Sequence, residues 1–461
     1  MSARAELHAS DDTVRLSEVL AALSFALDLT DGQPVGHAMR SCLIGLGLAD
    51  RLGLPEDARR DLYYALLLKD VGGPSQSAQL FRAFGGDERA LRRDAPLMDW
   101  TGYLRAARLA LAHVSPVDSW LDRARRAAGF AHEGGRAALD LVGARGEQGA
   151  GIVLGLGFGP GVAAAVRGAA ERWDGRGRPD GLRGEEIPVA ARIVAVAQAL
   201  DVLATANGAR RAIDVVRGRA GRWFDPQLAA AAGDLREKLG GLRGLDEHAL
   251  AAAVRAAAPA GESLLWGPDA LDRVAHGFAG VVDAKSPFTA EHSRRMAALS
   301  VRIAGRLGLR GAALDEVRRA ALLHDIGKLS VPNAILDKPG PLEPDEWEIV
   351  KRHPYWTLRI LLHVRGLKRV AQIAASHHER LDGTGYFRGL SGRAFPIEAQ
   401  VLAAADQWDA LVTARPYRPA LPAETALRLM ERERGTGVSP ECLDALAAVV
   451  EGEPDTVADA A

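Results

Sequence analysis

Apolar residues recur along this chain at helical spacing, on a background of Ala, Leu, Arg and Glu, while alternating β-branched runs are nearly absent. The pattern predicts an all-α fold. Glycine and proline punctuate it. In "DKPGPLEPDEW", residues 337–347, Pro and Asp stand just before the apolar pattern resumes and mark a helix start. No window approaches 18 uninterrupted apolar residues, so no membrane span is expected.

Two of the apolar runs end in the same phrase. "LLLKDVGG" closes at residue 73 and "ALLHDIGK" at residue 328, with His324 where Lys69 stands and Lys328 where Gly73 stands. Residues 37–73 align with 292–328 at a constant offset of 255 and share 13 identities in 37 positions, among them His37/His292, Arg40/Arg295, Asp70/Asp325 and Gly72/Gly327. Residues 171–201 align with 379–409 at an offset of 208, again with 13 identities, anchored on "ERWDGRG" against "ERLDGTG". The chain is therefore a tandem duplication. Copy one covers 14–250, with a 47-residue insertion expected within 78–165; a linker at 256–273 precedes copy two at 274–450.

Composition narrows the setting. A length of 461 residues suits two or three domains, and 58 basic against 59 acidic side chains predict neither a nucleic-acid polymer nor a membrane as partner. Two cysteines, Cys42 and Cys442, make neither a disulfide framework nor a thiolate site, which fits a reducing compartment. The polar N-terminus has no apolar core of signal-peptide length, so a soluble, cytoplasmic protein is expected.

The chemistry gathers in copy two, where seven of the 12 histidines fall between His276 and His378. Imidazole with carboxylate and no thiol suits Fe, Mn, Ni or Zn. Neighbours on a helix point about 100° apart, so a lone His324-Asp325 pair on a continuous helix is not expected to chelate one ion side by side. A carboxylate spanning two ions, with the imidazole on one of them, describes a binuclear site. His276, His363 and the five histidines before residue 250 read as surface or core residues.

Copy two resembles the HD-GYP family of HD phosphohydrolases on "HDIGKLSVPNAILDKPGPL", "HHERLDGTGYF" and "AAADQWDALVTARPYRPA". The resemblance implies a helical bundle with a bi- or trinuclear metal centre that hydrolyses cyclic di-GMP to pGpG or GMP. Carried over by position, it implies His292, His324, Asp325 and Asp406 as ligands of one metal. His353, His377 and His378 would hold the second, with Asp325 bridging. Two ions are favoured, Fe or Mn first, because the position linked to a third metal is Phe288. Water activated between the cations would attack phosphorus, with Asp325 and Lys328 in the catalytic set. Lys328 lies one turn after His324 if the helix continues. Asp382, Gly383, Gly385 and Tyr386 of the glycine loop, with Arg415 and Arg418, are the expected substrate-binding residues. Phe387, Gln400 and Thr357 depart from the family pattern and bear on substrate preference.

Copy one lacks most of this. His324 corresponds to Lys69, His377 and His378 to Ala169 and Ala170, Asp406 to Gln198 and Tyr386 to Arg178, leaving only His37 and Asp70 as ligand types. It is expected to be non-catalytic, a scaffold and intramolecular pseudo-dimer partner, with a nucleotide-sensing pocket as the alternative. A cyclic dinucleotide is the expected substrate, and a homodimer or signalling partner is compatible. The competing readings are a non-hydrolytic cyclic-dinucleotide receptor and a phosphohydrolase of another nucleotide.

Overall fold

The computed structural model describes residues 15–76, 89, 140–259, 269–286, 291–414 and 418–452. Among these residues every regular element is a helix, and only isolated bridges such as Asp174 with Arg183 add extended pairing. The all-α expectation is met. Helix starts follow local chemistry: Pro440 opens the helix to Val450, and the Ser439 hydroxyl accepts from Cys442 N–H at 3.1 Å. At "LEPDEW" the helix Pro344–Val350 begins where the sequence places it, closed by a reciprocal Glu343–Glu346 capping box.

The helices divide into two compact units, Arg15–Leu264 and Leu265–Ala461, the N-terminal segment before Arg15 aside. Each has its own core. In the first, Leu20, Phe25, Met39 and Leu48 pack with Leu62, Tyr63, Ile193 and Leu200, all at most 2% exposed. In the second, Met296, Ile303, Val317 and Leu323 meet Ile360, Ile373, Val401 and Leu402. Cys42 and Cys442 are buried, one in each unit.

One described helix, Val189–Asn207, is long and apolar enough to cross a membrane. Its side chains are instead largely buried against the first unit's other helices, and it carries Asp201 into an ion pair with Arg40 at 2.7 Å. A buried, paired carboxylate marks it as a core helix.

Candidate metal centre

Five segments of the second unit converge on one buried point. His292 opens the helix His292–Arg306. The helix Ala312–Leu323 ends just before His324, and Asp325 turns the chain into a 3-10 segment, Ile326–Ser330. His353 starts the helix His353–Leu361 with Pro354 behind it, and His377-His378 follow the helix Lys368–Ala374. Asp406 and Asp409 stand three residues apart on one face of Ile397–Val412.

Gly327 explains how two of these segments come so close. A Cβ there would lie 1.9 Å from the His353 carbonyl oxygen, so only glycine lets the 3-10 turn seat against the next helix. Thr357 completes the joint: its hydroxyl donates to the His324 carbonyl at 2.8 Å and accepts from Gly327 N–H at 3.0 Å. Thr357, a departure from the family pattern, therefore acts inside the scaffold.

The donor atoms form two sets around one carboxylate. Asp325 Oδ2 lies 3.5 Å from His292 Nε2 and 3.3 Å from His324 Nε2. Its Oδ1 lies 3.4 Å from His353 Nε2 and 3.7 Å from His377 Nε2. Asp406 faces both sides, with Oδ1 3.6 Å from His292 Nε2 and Oδ2 3.9 Å from His378 Nδ1. His292 with His324 and Asp406, and His353 with His377 and His378, each bring their ligand atoms within 4.8 Å of one another.

Electrostatics and tautomers suit cations at both positions. His324, His353 and His377 each donate Nδ1–H to a backbone carbonyl, of Ala321, Val350 and Ala374, at 2.6–2.8 Å. A carbonyl only accepts, so each Nε2 presents its lone pair to the centre. His353 and His377 Nε2 stand 3.1 Å apart, two lone pairs facing. Burial, with neighbouring positive charge, lowers the His353 and His377 imidazoles to about 4 and 3, the neutral form that ligates. Asp325 Oδ1 is buried without any hydrogen-bond donor. A buried carboxylate oxygen flanked by lone pairs is what a divalent ion satisfies.

Other expected site residues take different places. The α-helix does not continue through the HD pair, so Lys328 reaches the centre from the 3-10 turn, and its ammonium binds Asp325 Oδ2. Tyr386 stacks on His378 with ring centroids 4.8 Å apart. The glycine loop is shaped by contacts to its own chain. Asp382 is exposed and accepts from Thr384 N–H and Oγ1–H in an Asx turn, and Gly383 adopts φ 77°. A Cβ on Gly385 would lie 2.5 Å from Arg380 N, so its close approach is to the His378–Arg380 backbone. In this structure these three residues shape the loop. The Arg418 guanidinium donates to the Leu411 and Pro419 carbonyls at 3.0 and 2.9 Å and to Ala410, capping Ile397–Val412. Arg415, Phe288 and most of the span expected to hold the insertion lie outside the described residues.

Two residues of the site escaped the sequence reading. Glu379 accepts from Arg388 and Leu390 N–H, both at 2.8 Å, and so folds the loop beside His378. Asp409 accepts from His292 Nδ1–H at 2.7 Å and from Arg295 Nε–H at 2.9 Å. Burial raises a carboxyl, but those two donors override it and hold Asp409 well below the usual range. The retained pairs His37/His292, Arg40/Arg295 and Asp201/Asp409 were the available signal. Asp409→Ala should weaken metal affinity about 10- to 100-fold, read by metal titration, because His292 loses the partner that orients it.

The first unit repeats this plan with organic cations. His37 donates to Asp201 at 2.7 Å and Arg40 Nε–H donates to the same carboxylate at 2.7 Å. Lys69 Nζ sits 2.9 Å from His37 Nε2 and bonds Asp70 Oδ2. Arg145 donates to Asp70 Oδ1 at 2.7 Å and to Asp31 at 2.6 Å. Gly72 meets the Arg145 carbonyl and Gly149 N–H as Gly327 meets His353 and Thr357, so Arg145 stands at the position of His353. The offset of 208 thus already holds at residue 145, and the insertion lies between 73 and 145. Lys69 and Arg145 flank Asp70 where the second unit offers its two donor sets.

An all-helical unit that gathers five imidazoles and two carboxylates on one buried point is the frame of a metal-dependent phosphohydrolase. The HD domain family profile matches residues 105–228 and 278–441, more than half of the chain. The chain belongs to the HD domain family, as a tandem of the HD-GYP kind with a degenerate N-terminal copy, and it is a phosphodiesterase. A relative from Vibrio cholerae serotype O1, a 3'3'-cGAMP-specific phosphodiesterase, is 37% identical over 97% of both chains. A crystal structure of a cyclic GMP-AMP specific phosphodiesterase of V. cholerae matches at TM-score 0.67 and 34% identity, covering 96% of this chain and 99% of that one. A cyclic di-GMP phosphodiesterase of Thermotoga maritima is 45% identical over 34% of this chain and 43% of its own length.

Proposed function

We propose that the second unit hydrolyses a phosphodiester of a cyclic dinucleotide, with 3'3'-cGAMP preferred and cyclic di-GMP the competing substrate. The observation that carries the reading is Asp325, whose two oxygens each face a separate pair of imidazoles. The relative named for 3'3'-cGAMP shares the tandem over 97% of its length, whereas the Thermotoga match covers 43% of that enzyme, which supports the preference.

His292, His324, Asp406 and Asp325 Oδ2 would hold one divalent ion; His353, His377, His378 and Asp325 Oδ1 would hold the second. The all-N/O donor set admits Fe, Mn, Ni or Zn, of which Fe or Mn is our preferred reading. When bound, such ions lower the pKa of water towards neutrality and offset charge on the phosphoryl oxygens. The chain's own residues do the rest. Lys328, with 17% of its side chain exposed, sets its Nζ beside Asp325 and can turn it to a phosphoryl or leaving oxygen. Tyr386 lies over the His378 ring. Water adds at phosphorus, the P–O3' bond breaks, and the 3' oxygen leaves with a proton.

The test is turnover of 3'3'-cGAMP and cyclic di-GMP under Mn(II) and anaerobic Fe(II). A linear dinucleotide should appear with both, at higher kcat/KM for 3'3'-cGAMP. Binding without turnover under every metal would overturn this reading in favour of the receptor.

A further inference from the structure

An exposed aromatic side chain stands near the candidate metal centre, outside the buried core. Trp347 is 43% exposed on the short helix Pro344–Val350, an unusual place for an indole. Its ring centroid lies 6.2 Å from Tyr386, and the rings meet at 77°. Tyr386 in turn lies 4.8 Å from His378, and His378 4.0 Å from His377. A continuous series of rings therefore runs from the donor cluster to solvent and ends on Trp347.

Trp347 is also held in fixed relation to the cluster. Its helix is pinned at one end by Lys338, which donates to Glu346 at 2.6 Å. At the other end Val350 supplies the carbonyl that fixes the His353 tautomer at 2.7 Å. A flat surface that is exposed, rigid and one ring away from a metal ligand suits a flat ligand. Every nucleobase has a π-face, and base–aromatic stacking needs no hydrogen-bond readout. The near-perpendicular Tyr386 makes Trp347 one wall of a corner, into which a planar base fits face-on to one ring and edge-on to the other.

We infer that Trp347 stacks on a purine of the cyclic dinucleotide and sets how tightly the substrate is held. The inference rests on the proposed function, since it supposes a substrate with bases. Stacking on a base far from the reacting phosphorus is uniform binding, so it acts on KM rather than kcat.

The test compares Trp347→Ala, Trp347→Leu and Trp347→Tyr in the full chain loaded with Mn(II). Substrates are 3'3'-cGAMP, cyclic di-GMP and methyl p-nitrophenyl phosphate, a diester without a base. Ala and Leu should raise KM for the dinucleotides about tenfold or more with kcat nearly constant, while Tyr stays within about threefold of wild type. Metal content and turnover of the base-free diester should not change. Unchanged KM in both Ala and Leu would overturn the inference. So would an equal loss on the base-free diester, which would make Trp347 a support of His353. A wild-type protein that cleaves the simple diester but neither dinucleotide would sink the substrate reading itself, a result distinct from either.

Discussion

Asp325→Ala is expected to empty both metal positions at once and to lower phosphodiesterase turnover by about 10³-fold or more. No other residue is shared so evenly: Oδ2 faces His292 and His324, Oδ1 faces His353 and His377, all within 3.7 Å. Truncating an imidazole removes one donor from one set, whereas truncating Asp325 removes one from each. Three readouts separate this outcome from simple misfolding. Metal bound per chain should fall from about two to less than one. The thermal stabilisation that ions give the second unit, about 2.7 kcal/mol at a hundredfold excess over Kd, should vanish. Helix content should be retained, because the α-helix has already ended before Asp325 and the Gly327 joint is held by Thr357. Metal stoichiometry unchanged from wild type would sink the site assignment.

The sequence carried the second unit's donors because each sits in a phrase of its own: His324 with Asp325, His353 before Pro354, His377 beside His378, Asp406 in "AAADQWDAL". The structure brings all of them to one point. What it adds is what spacing does not encode, namely where spare donors and acceptors go. Arg418 donates to three carbonyls at a helix end. Gly385 makes room for the chain's own backbone at Arg380. Asp409 was not singled out in the sequence, although Asp201 in the degenerate copy preserved it when Asp406 had become Gln198. Its role became visible only with His292 Nδ1 against it, 117 residues away in sequence. Trp347 was legible as an apolar residue in a helix, but not as an exposed ring beside Tyr386.

The first unit shows the same limit more sharply, and it changes which control is valid. Asp70 aligns with Asp325 in a copy without the metal ligands, so Asp70→Ala looks like a neutral comparison. In the structure Asp70 lies between two buried or half-buried cations, Lys69 on Oδ2 and Arg145 on Oδ1. Burial raises its carboxyl, but Lys69, Arg145 and His37 outweigh it and keep Asp70 ionised well below the usual range. Removing one partner of such a pair leaves uncompensated charge in the core. Asp70→Ala is therefore expected to cost the first unit roughly 3–5 kcal/mol. The loss should appear as reduced amide-exchange protection in His37–Leu52 and Glu56–Leu68, the helices that carry these groups. Chelators should not reproduce it, since Lys69 and Arg145 are covalent parts of the chain and nothing can strip them. Acid should reproduce it. A depressed carboxyl stabilises above its unfolded pKa, near 4, and that contribution drains away as pH falls towards the folded value, for Asp70 and for Asp201 alike. If instead Asp70→Ala left protection intact but removed metal or turnover, the first unit would be a second working centre, and the reading of Lys69 and Arg145 as its resident cations would be wrong.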